Sequence, residues 1–183
     1  MRITILNGSP RKGGNTEALT RALAEGARQA GAEVTEFCVR GKRIGPCGNC
    51  DYCFTHEGCV LRDDMDEVYD LLLRTDALVF ATPVYFYTMS AQLKALIDRL
   101  HNPVRAQMPV RTTAVLSVCA DDDRAAFEPL LATFAAIEGY LGWRRVGEVT
   151  VANVEKKGEI AGHPALWEAR SLGERLAHTG LEA

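Results

Sequence analysis

Strand-like apolar runs alternate with amphipathic helical patterns about five times along this chain of 183 residues. The run at 77–81 is uninterrupted, which is typical of a parallel strand buried on both faces. Behind a capping Ser90, the apolar residues Leu93, Leu96 and Leu100 recur at helical spacing. This alternation predicts an α/β fold in which helices cover both faces of a doubly wound, five-stranded parallel sheet. The expected strand order is 2-1-3-4-5.

The hydrophobic pattern predicts short strands, most of which are followed by a helix. We expect strands at 2–6, 33–39, 77–81, 113–118 and 146–151. The closing helix is expected at 164–178. With 47% hydrophobic and 25% charged residues, the chain is predicted to form one domain over 1–183. A Gly-, Pro- and Cys-rich stretch without period, at about 41–62, is predicted to be an insertion in it.

Composition argues against several classes of partner. No apolar run approaches the roughly 20 residues that cross a bilayer. The first residues lack the pattern of a secretory signal, so we expect a cytoplasmic protein. A net charge of −3 and a pI near 5.8 do not provide the basic surface of a nucleic-acid binder. The sequence therefore predicts neither a membrane nor a nucleic-acid partner.

The segment GSPRKGGNT, residues 8–16, follows the first strand and opens a helix. Backbone amides and the helix dipole favour an anion at such a point. It matches neither the usual nucleoside-triphosphate loop nor the dinucleotide fingerprint, so a mononucleotide phosphate is the favoured ligand. The alternative is a glycine-rich turn that merely connects. The candidate phosphate-binding side chains are Ser9, Arg11, Lys12, Asn15 and Thr16.

The segment TPVYFYTMS, residues 82–90, follows the third strand. In the expected strand order, it forms the other wall of the crevice at the switch point of the sheet. Its three aromatic residues offer a surface for a flat ring system, although each alone could equally be a packing residue. Cys119, after the fourth strand, is a further candidate for the same crevice. Cys38 is expected to pack as a small apolar residue.

Four cysteines lie in the loop after the second strand, at the same edge of the sheet: Cys47, Cys50, Cys53 and Cys59. Without an export signal, they should be reduced thiols or ligands. Their spacing fits ligation of a [4Fe-4S] cluster of the ferredoxin type. Zinc bound by all four, or by three together with His56, remains an alternative. So do free thiols and a redox-active dithiol.

These motifs carry a resemblance. GSPRKGGNT together with ATPVYFYTMSAQLKALIDR resembles the NADPH-dependent FMN reductase group of flavodoxin-like proteins. The resemblance implies that the first motif binds the FMN phosphate, through Ser9, Arg11, Asn15 and Thr16. It implies that the second lies along the isoalloxazine ring, through Pro83, Val84, Tyr85 and Phe86.

The cysteine segment and the helix that follows it, from Cys47 to Asp66, resemble the compact cluster motif of the iron-sulfur flavoproteins. The stretch 155–163 is more similar to relatives without a cluster. Flavin sites in this group are completed across a subunit interface, which implies a homodimer or homotetramer.

The function expected from these features is that of an FMN-dependent oxidoreductase. A reduced nicotinamide, NADH or NADPH, would give hydride to FMN. Electrons would then leave to a quinone, a free flavin, another small oxidant or a redox protein, through a [4Fe-4S] cluster if one is held. No side chain is expected to act as a catalytic acid or base. The alternatives are a non-enzymatic flavin and iron-sulfur electron carrier between protein partners, and a zinc or thiol redox sensor on a flavodoxin scaffold.

Overall fold

A computed structural model describes residues 1–179 and contains a five-stranded sheet with the order β2-β1-β3-β4-β5. All neighbouring strands in it run parallel. The strands are β1 (Arg2–Asn7), β2 (Glu33–Cys38), β3 (Ala77–Pro83), β4 (Thr112–Val118) and β5 (Arg144–Val151). The doubly wound, flavodoxin-like α/β fold expected from the sequence is confirmed.

Helices cover both faces of the sheet and enclose two apolar cores. They are α1 (Asn15–Gln29), α2 (Tyr52–Thr55), α3 (Met65–Leu72), α4 (Ala91–Asp98), α5 (Glu128–Leu141) and α6 (Ala165–His178). The apolar stripes of α1 and α6 form one core with the sheet. Those of α3, α4 and α5 form the other, where Phe80 of β3 stacks on Phe134 of α5 at 4.8 Å between ring centroids.

Burial of the strands follows their position in the sheet. Residues 77–82 of β3 and all residues of β4 are buried, as expected for central parallel strands. The edge strand β2 keeps most of its residues at least partly exposed. No helix within residues 1–179 is long and apolar enough to cross a membrane.

Helices α1 and α6 cross in backbone contact through two glycines. A Cβ atom on Gly26 would lie 2.0 Å from the carbonyl oxygen of Arg170. One on Gly173 would lie 2.1 Å from the carbonyl oxygen of Leu23. Real Cβ atoms do not approach this closely, so only glycine permits the crossing. Helix α6 thereby holds the helix that begins at the glycine-rich loop.

Between β2 and α3, the chain is irregular apart from the one-turn helix α2. The sequence did not predict α2, because four residues are too few to set up a helical period. Residue Asp51, just before it, has a positive φ of 58°. That residues 41–62 form an insertion in one domain remains a prediction, and residues 180–183 of that domain lie outside the described residues.

Candidate functional site

The loops after β1 (8–16) and β3 (82–90) lie side by side at the carboxyl edge of the sheet. The Gly8 amide donates to the Ala81 carbonyl oxygen at 2.7 Å. The Ser90 hydroxyl donates to the Gly8 carbonyl oxygen, also at 2.7 Å. Both contacts are buried in the sheet edge, so the two loops form one rigid wall.

Between these loops and the segments after β4 and β5 lies a cleft of ≈ 480 Å³, a volume that includes its part open to solvent. Eight of the ten residues predicted to bind a cofactor line it: Ser9, Arg11, Asn15, Thr16, Pro83, Val84, Tyr85 and Cys119. Lys12 and Phe86 do not. Pockets of this size and position are the usual ligand sites of doubly wound folds.

One end of the cleft is the N-terminus of α1, and its donors are free. The N-cap residue Gly14 makes no side-chain capping bond. Within residues 1–179, the amides of Gly14, Asn15 and Thr16 have no hydrogen-bond acceptor. Free amides at the positive end of a helix dipole bind anions, so this end fits the phosphate of a mononucleotide.

A partly buried network that the sequence did not predict fixes the shape of this loop. The side-chain oxygen of Asn7 accepts the Ser9 amide at 2.9 Å, and its nitrogen donates to Glu36 Oε1 at 2.8 Å. Thr20 of α1 donates to the same Glu36 oxygen at 3.0 Å. In the sequence, Asn7 is only the last residue of a strand, and the pairing of β1 with β2 is what brings Glu36 beside it.

Asn15 and Arg11 line the cleft and both hold the segment after β5; their contact with a phosphate remains a prediction. The Asn15 amide nitrogen donates to the Lys156 carbonyl oxygen at 2.9 Å. Its oxygen accepts the amides of Gly158 and Ile160 at 3.1 and 3.4 Å. Arg11 donates to the carbonyl oxygen of Glu155 at 2.7 Å. Segment 154–160 thus closes one side of the cleft.

Val154 and Glu155 line the cleft and were not predicted. The segment has no strand or helix period, and residues of loops far apart in sequence give no local signal of their contact.

Replacing Asn15 with Ala is expected to free the segment after β5. The amides of Gly158 and Ile160 lose their acceptor, and for the buried amide of Ile160 this costs about 1–3 kcal/mol in comparable cases. We expect faster amide hydrogen exchange at residues 156–160, measured by mass spectrometry. Asn15→Asp keeps the acceptor and is the matched control, so its exchange should stay close to the wild type. Equal exchange in Asn15→Ala and wild type would show that other contacts hold the segment.

Phe86 lies at the tip of a tight turn and points away from the cleft. Tyr85 and Thr88 pair through two backbone hydrogen bonds, of 2.8 and 3.1 Å. The turn requires positive φ at Phe86 and Tyr87, 46° and 64°. This geometry turns Phe86 outward and leaves it 98% exposed, whereas Tyr85 lines the cleft. Phe86 therefore does not line the cleft, and its place along the flavin ring remains a prediction. Lys12 is likewise exposed on the outside of its loop.

The two cysteines outside the cysteine segment lie near the cleft. Cys119 lines its inner end, where burial raises the pKa of the thiol. Cys38 is half-buried at the end of β2, with its sulfur 3.9 Å from the Ser9 carbonyl oxygen. Cys119 is therefore expected to remain a neutral thiol.

The four cysteines of the predicted metal site line one cavity of ≈ 640 Å³, together with His101, which follows α4. Phe54, Val60 and Leu61 form apolar walls. Burial raises the pKa of the Cys53 thiol, and the charges of the other three thiolates raise it further. Within residues 1–179, no three side chains of His, Cys, Asp or Glu are close enough to hold a metal ion as they stand.

His56, the alternative zinc ligand, is not among the residues that line this cavity. Its ring stacks on Tyr52 at 4.1 Å between centroids. Its Nδ1 is 2.9 Å from the Thr55 hydroxyl. The histidine that lines the cavity with the four thiols is His101, which the sequence did not predict.

The chain is similar to characterised flavoproteins. An iron-sulfur flavoprotein of Methanosarcina thermophila is 41% identical over 99 residues, which are 54% of this chain and 52% of that protein. The match thus spans about half the length of this relative. YwqN of Bacillus subtilis, provisionally named an NAD(P)H-dependent FMN-containing oxidoreductase, is 31% identical over 96% of this chain and 98% of its own.

Among solved structures, the NAD(P)H:quinone oxidoreductase from Methanothermobacter marburgensis superposes with a TM-score of 0.79. It covers 96% of this chain and 98% of its own, at 19% identity, which shows a shared fold. The family model of the NADPH-dependent FMN reductases matches residues 1–157. The chain therefore belongs to the NADPH-dependent FMN reductase family of FMN-dependent oxidoreductases.

Proposed function

We propose that this protein takes hydride from NADH or NADPH onto FMN bound in the cleft. Electrons then leave through a [4Fe-4S] cluster on the four cysteines to an acceptor. The observation that carries the proposal is that the chain forms two separate sites, each with the donors that one of these cofactors needs. One has free helix amides for a phosphate, and the other gathers four thiols in one cavity.

Each part of the cleft has a task in holding the flavin. The amides of residues 14–16, with the hydroxyls of Ser9 and Thr16, hold the phosphate. The Pro83–Tyr85 wall supports the ring, and Cys119 lies at the opposite wall. Bound FMN supplies the hydride acceptance and the release of electrons singly or in pairs. The chain contributes binding, orientation and exclusion of water, without a side chain acting as acid or base.

The cysteine cavity suits a cluster by its donors and by its surroundings. Four thiolates are the ligands that a [4Fe-4S] cluster requires, and their spacing is of the ferredoxin type. Apolar side chains line part of the cavity, and the surroundings of a cluster are one of the factors that set its potential. The name of the Methanosarcina relative agrees with this assignment. A cluster would supply one-electron steps to a flavin that is loaded by two electrons.

Anaerobic purification with iron, acid-labile sulfide, zinc and flavin assayed together tests both cofactors. We expect about one flavin and four irons with four sulfides per chain, the composition of a [4Fe-4S] flavoprotein. Stoichiometric zinc without flavin would instead favour a sensor. If flavin is present and no metal is bound after anaerobic handling and attempted cluster reconstitution, the cluster is excluded and electron transfer depends on the flavin.

Anaerobic stopped-flow mixing with each nicotinamide tests the enzymatic part. The flavin absorbance is expected to bleach with NADH or NADPH and to return on addition of the acceptor. Quinone, free flavin and a one-electron acceptor such as ferricyanide are compared as oxidants. If neither nicotinamide bleaches the flavin, the protein is an electron carrier between protein partners.

We also propose that the protein is a homodimer or homotetramer. The exposed aromatic turn beside the cleft, with Phe86 98% and Tyr87 58% exposed, supports this, because large apolar side chains of this exposure mark association surfaces. Light scattering coupled to size exclusion gives the mass, and a monomer at micromolar concentration would contradict the proposal.

A further inference from the structure

A buried ion pair lies against the cysteine segment. Arg99 follows α4, and its side chain is 1% exposed. One guanidinium nitrogen, Nη1, lies 2.9 and 2.7 Å from the two carboxylate oxygens of Asp63. Burial by itself raises the pKa of Asp63, but hydrogen bonds from Arg99 and from two backbone amides outweigh it and hold that pKa below its usual value. The pair is therefore charged at neutral pH.

The same guanidinium joins the two ends of the cysteine segment. Arg99 Nη1 donates to the Gly45 carbonyl oxygen at 3.2 Å, two residues before Cys47. Its Nη2 donates to the Leu61 carbonyl oxygen at 3.4 Å, two residues after Cys59. Asp63 in turn accepts the Gly45 amide at 2.8 Å. Thus one buried arginine, with its partner carboxylate, holds the segment where it begins and where it ends.

A second contact from the same turn of chain reinforces this arrangement. Asn102 donates through its side chain to the Gly58 carbonyl oxygen at 3.3 Å, next to Cys59. Both residues lie just after α4, whose N-terminus belongs to the rigid wall of the flavin cleft. The cysteine segment is therefore fastened to the element that also shapes the flavin site.

Asp63 balances the charge of Arg99, but one N–H group of the guanidinium has no partner. Its Nε is buried and donates to no acceptor within residues 1–179. The neighbouring cavity gathers four thiols that become anionic when they bind metal. A buried guanidinium near such a group stabilises its anionic form, because the two charges attract each other.

We infer that Arg99 is a positioning residue for the metal group on the four cysteines. It closes the segment at residues 45 and 61, and its fixed positive charge stabilises the anionic, thiolate-bound group. The stabilisation is larger after the group gains one electron, since its negative charge then increases. The role of the Arg99 charge rests on the proposed cluster. The role of Arg99 in closing the segment rests on the hydrogen bonds described above.

Two substitutions separate position from charge. Arg99→Met removes both, whereas Arg99→Lys keeps a cation that cannot bridge Asp63 and two carbonyl oxygens at once. In the purified holoprotein we expect both to weaken iron retention against a chelator, by about 10-fold to 100-fold as for other supporting residues of metal sites. The reduction potential of the cluster should become more negative in Arg99→Met and stay near the wild type in Arg99→Lys.

Arg145→Met is the matched control. Arg145 of β5 pairs with the buried Glu138 of α5 at 2.8 Å, away from the cysteines. It should lower the melting temperature while leaving iron retention and potential unchanged. If Arg99→Met behaves like Arg145→Met, Arg99 is merely structural and the inference is wrong.

Hydrogen exchange of the metal-free protein tests whether Arg99 closes the segment, independently of the proposed function. Hydrogen exchange of residues 45–61 should be about tenfold faster or more in Arg99→Met than in the wild type, since charged hydrogen bonds are lost. Unchanged exchange would overturn the positioning. A wild-type protein that cannot be loaded with iron would overturn the cluster and the role of the Arg99 charge, and exchange would still decide whether Arg99 closes the segment.

Discussion

Gly173→Ala is expected to destabilise the protein by about 3 kcal/mol or more, at the upper end of overpacking effects. The added Cβ would lie 2.1 Å from the Leu23 carbonyl oxygen and 2.9 Å from the Ala27 nitrogen. Both are backbone atoms of α1, so no side-chain rotation can relieve the clash, and the two helices must separate. For a chain of this size the melting temperature should fall by about 6–12 °C, measured by calorimetry.

Gly139→Ala provides the control for this prediction. Gly139 also lies within a helix, α5, but a Cβ there meets nothing within 4 Å. Alanine should therefore stabilise the protein by about 0.5–1 kcal/mol through its helix propensity. The two variants shift the melting temperature in opposite directions only if α1 and α6 cross as closely as described. A wild-type melting temperature in Gly173→Ala would contradict it.

Removing two central cysteines, by Cys50→Ser with Cys53→Ser, is expected to abolish iron binding while flavin content per chain stays at the wild-type level. Two thiolates cannot hold a four-iron cluster. The cavity that holds the thiols shares no lining residue with the flavin cleft, so the effect should be confined to metal. Iron, sulfide and flavin assays give the result, and electron transfer to a one-electron acceptor should fall with the iron.

Cys38→Ala tests whether the loss of a cysteine outside the cavity also lowers the iron content. Cys38 is outside the cysteine cavity, so this variant should retain its iron. Full iron content in the double variant would show that other ligands hold the metal. Joint loss of iron and flavin would show that the two sites depend on each other.

The regular elements could be predicted because each carries its own periodic signal. The apolar run at 77–81 indicated a central strand, and Ser90 indicated the start of α4, where its hydroxyl accepts the Leu93 amide at 3.3 Å. Both follow from local physics, namely burial and capping. Once alternation fixed the fold class, the switch-point rule located the two loops that form the cleft.

What could not be predicted is which atoms each polar residue contacts. Asn15 was recognised as part of a phosphate loop, but its partners lie more than 140 residues away in a segment without period. The outward turn of Phe86 depends on positive φ at two residues that rarely adopt it. Arg99 resembles any helix-end cation in the sequence, and only the folded chain places it beneath the cysteines.

The glycine crossing of α1 and α6 also bears on how the protein is made. Synthesis proceeds from the N-terminus, so the loop at 8–16 and helix α1 emerge long before residues 165–178. The face of α1 that carries Gly26 has no partner until then, and the pairing closes a very long loop of chain. In a ribosome-bound chain that lacks α6, the helix behind the phosphate loop is therefore covered on the sheet side alone, and the flavin is expected to bind firmly only after the last helix has docked.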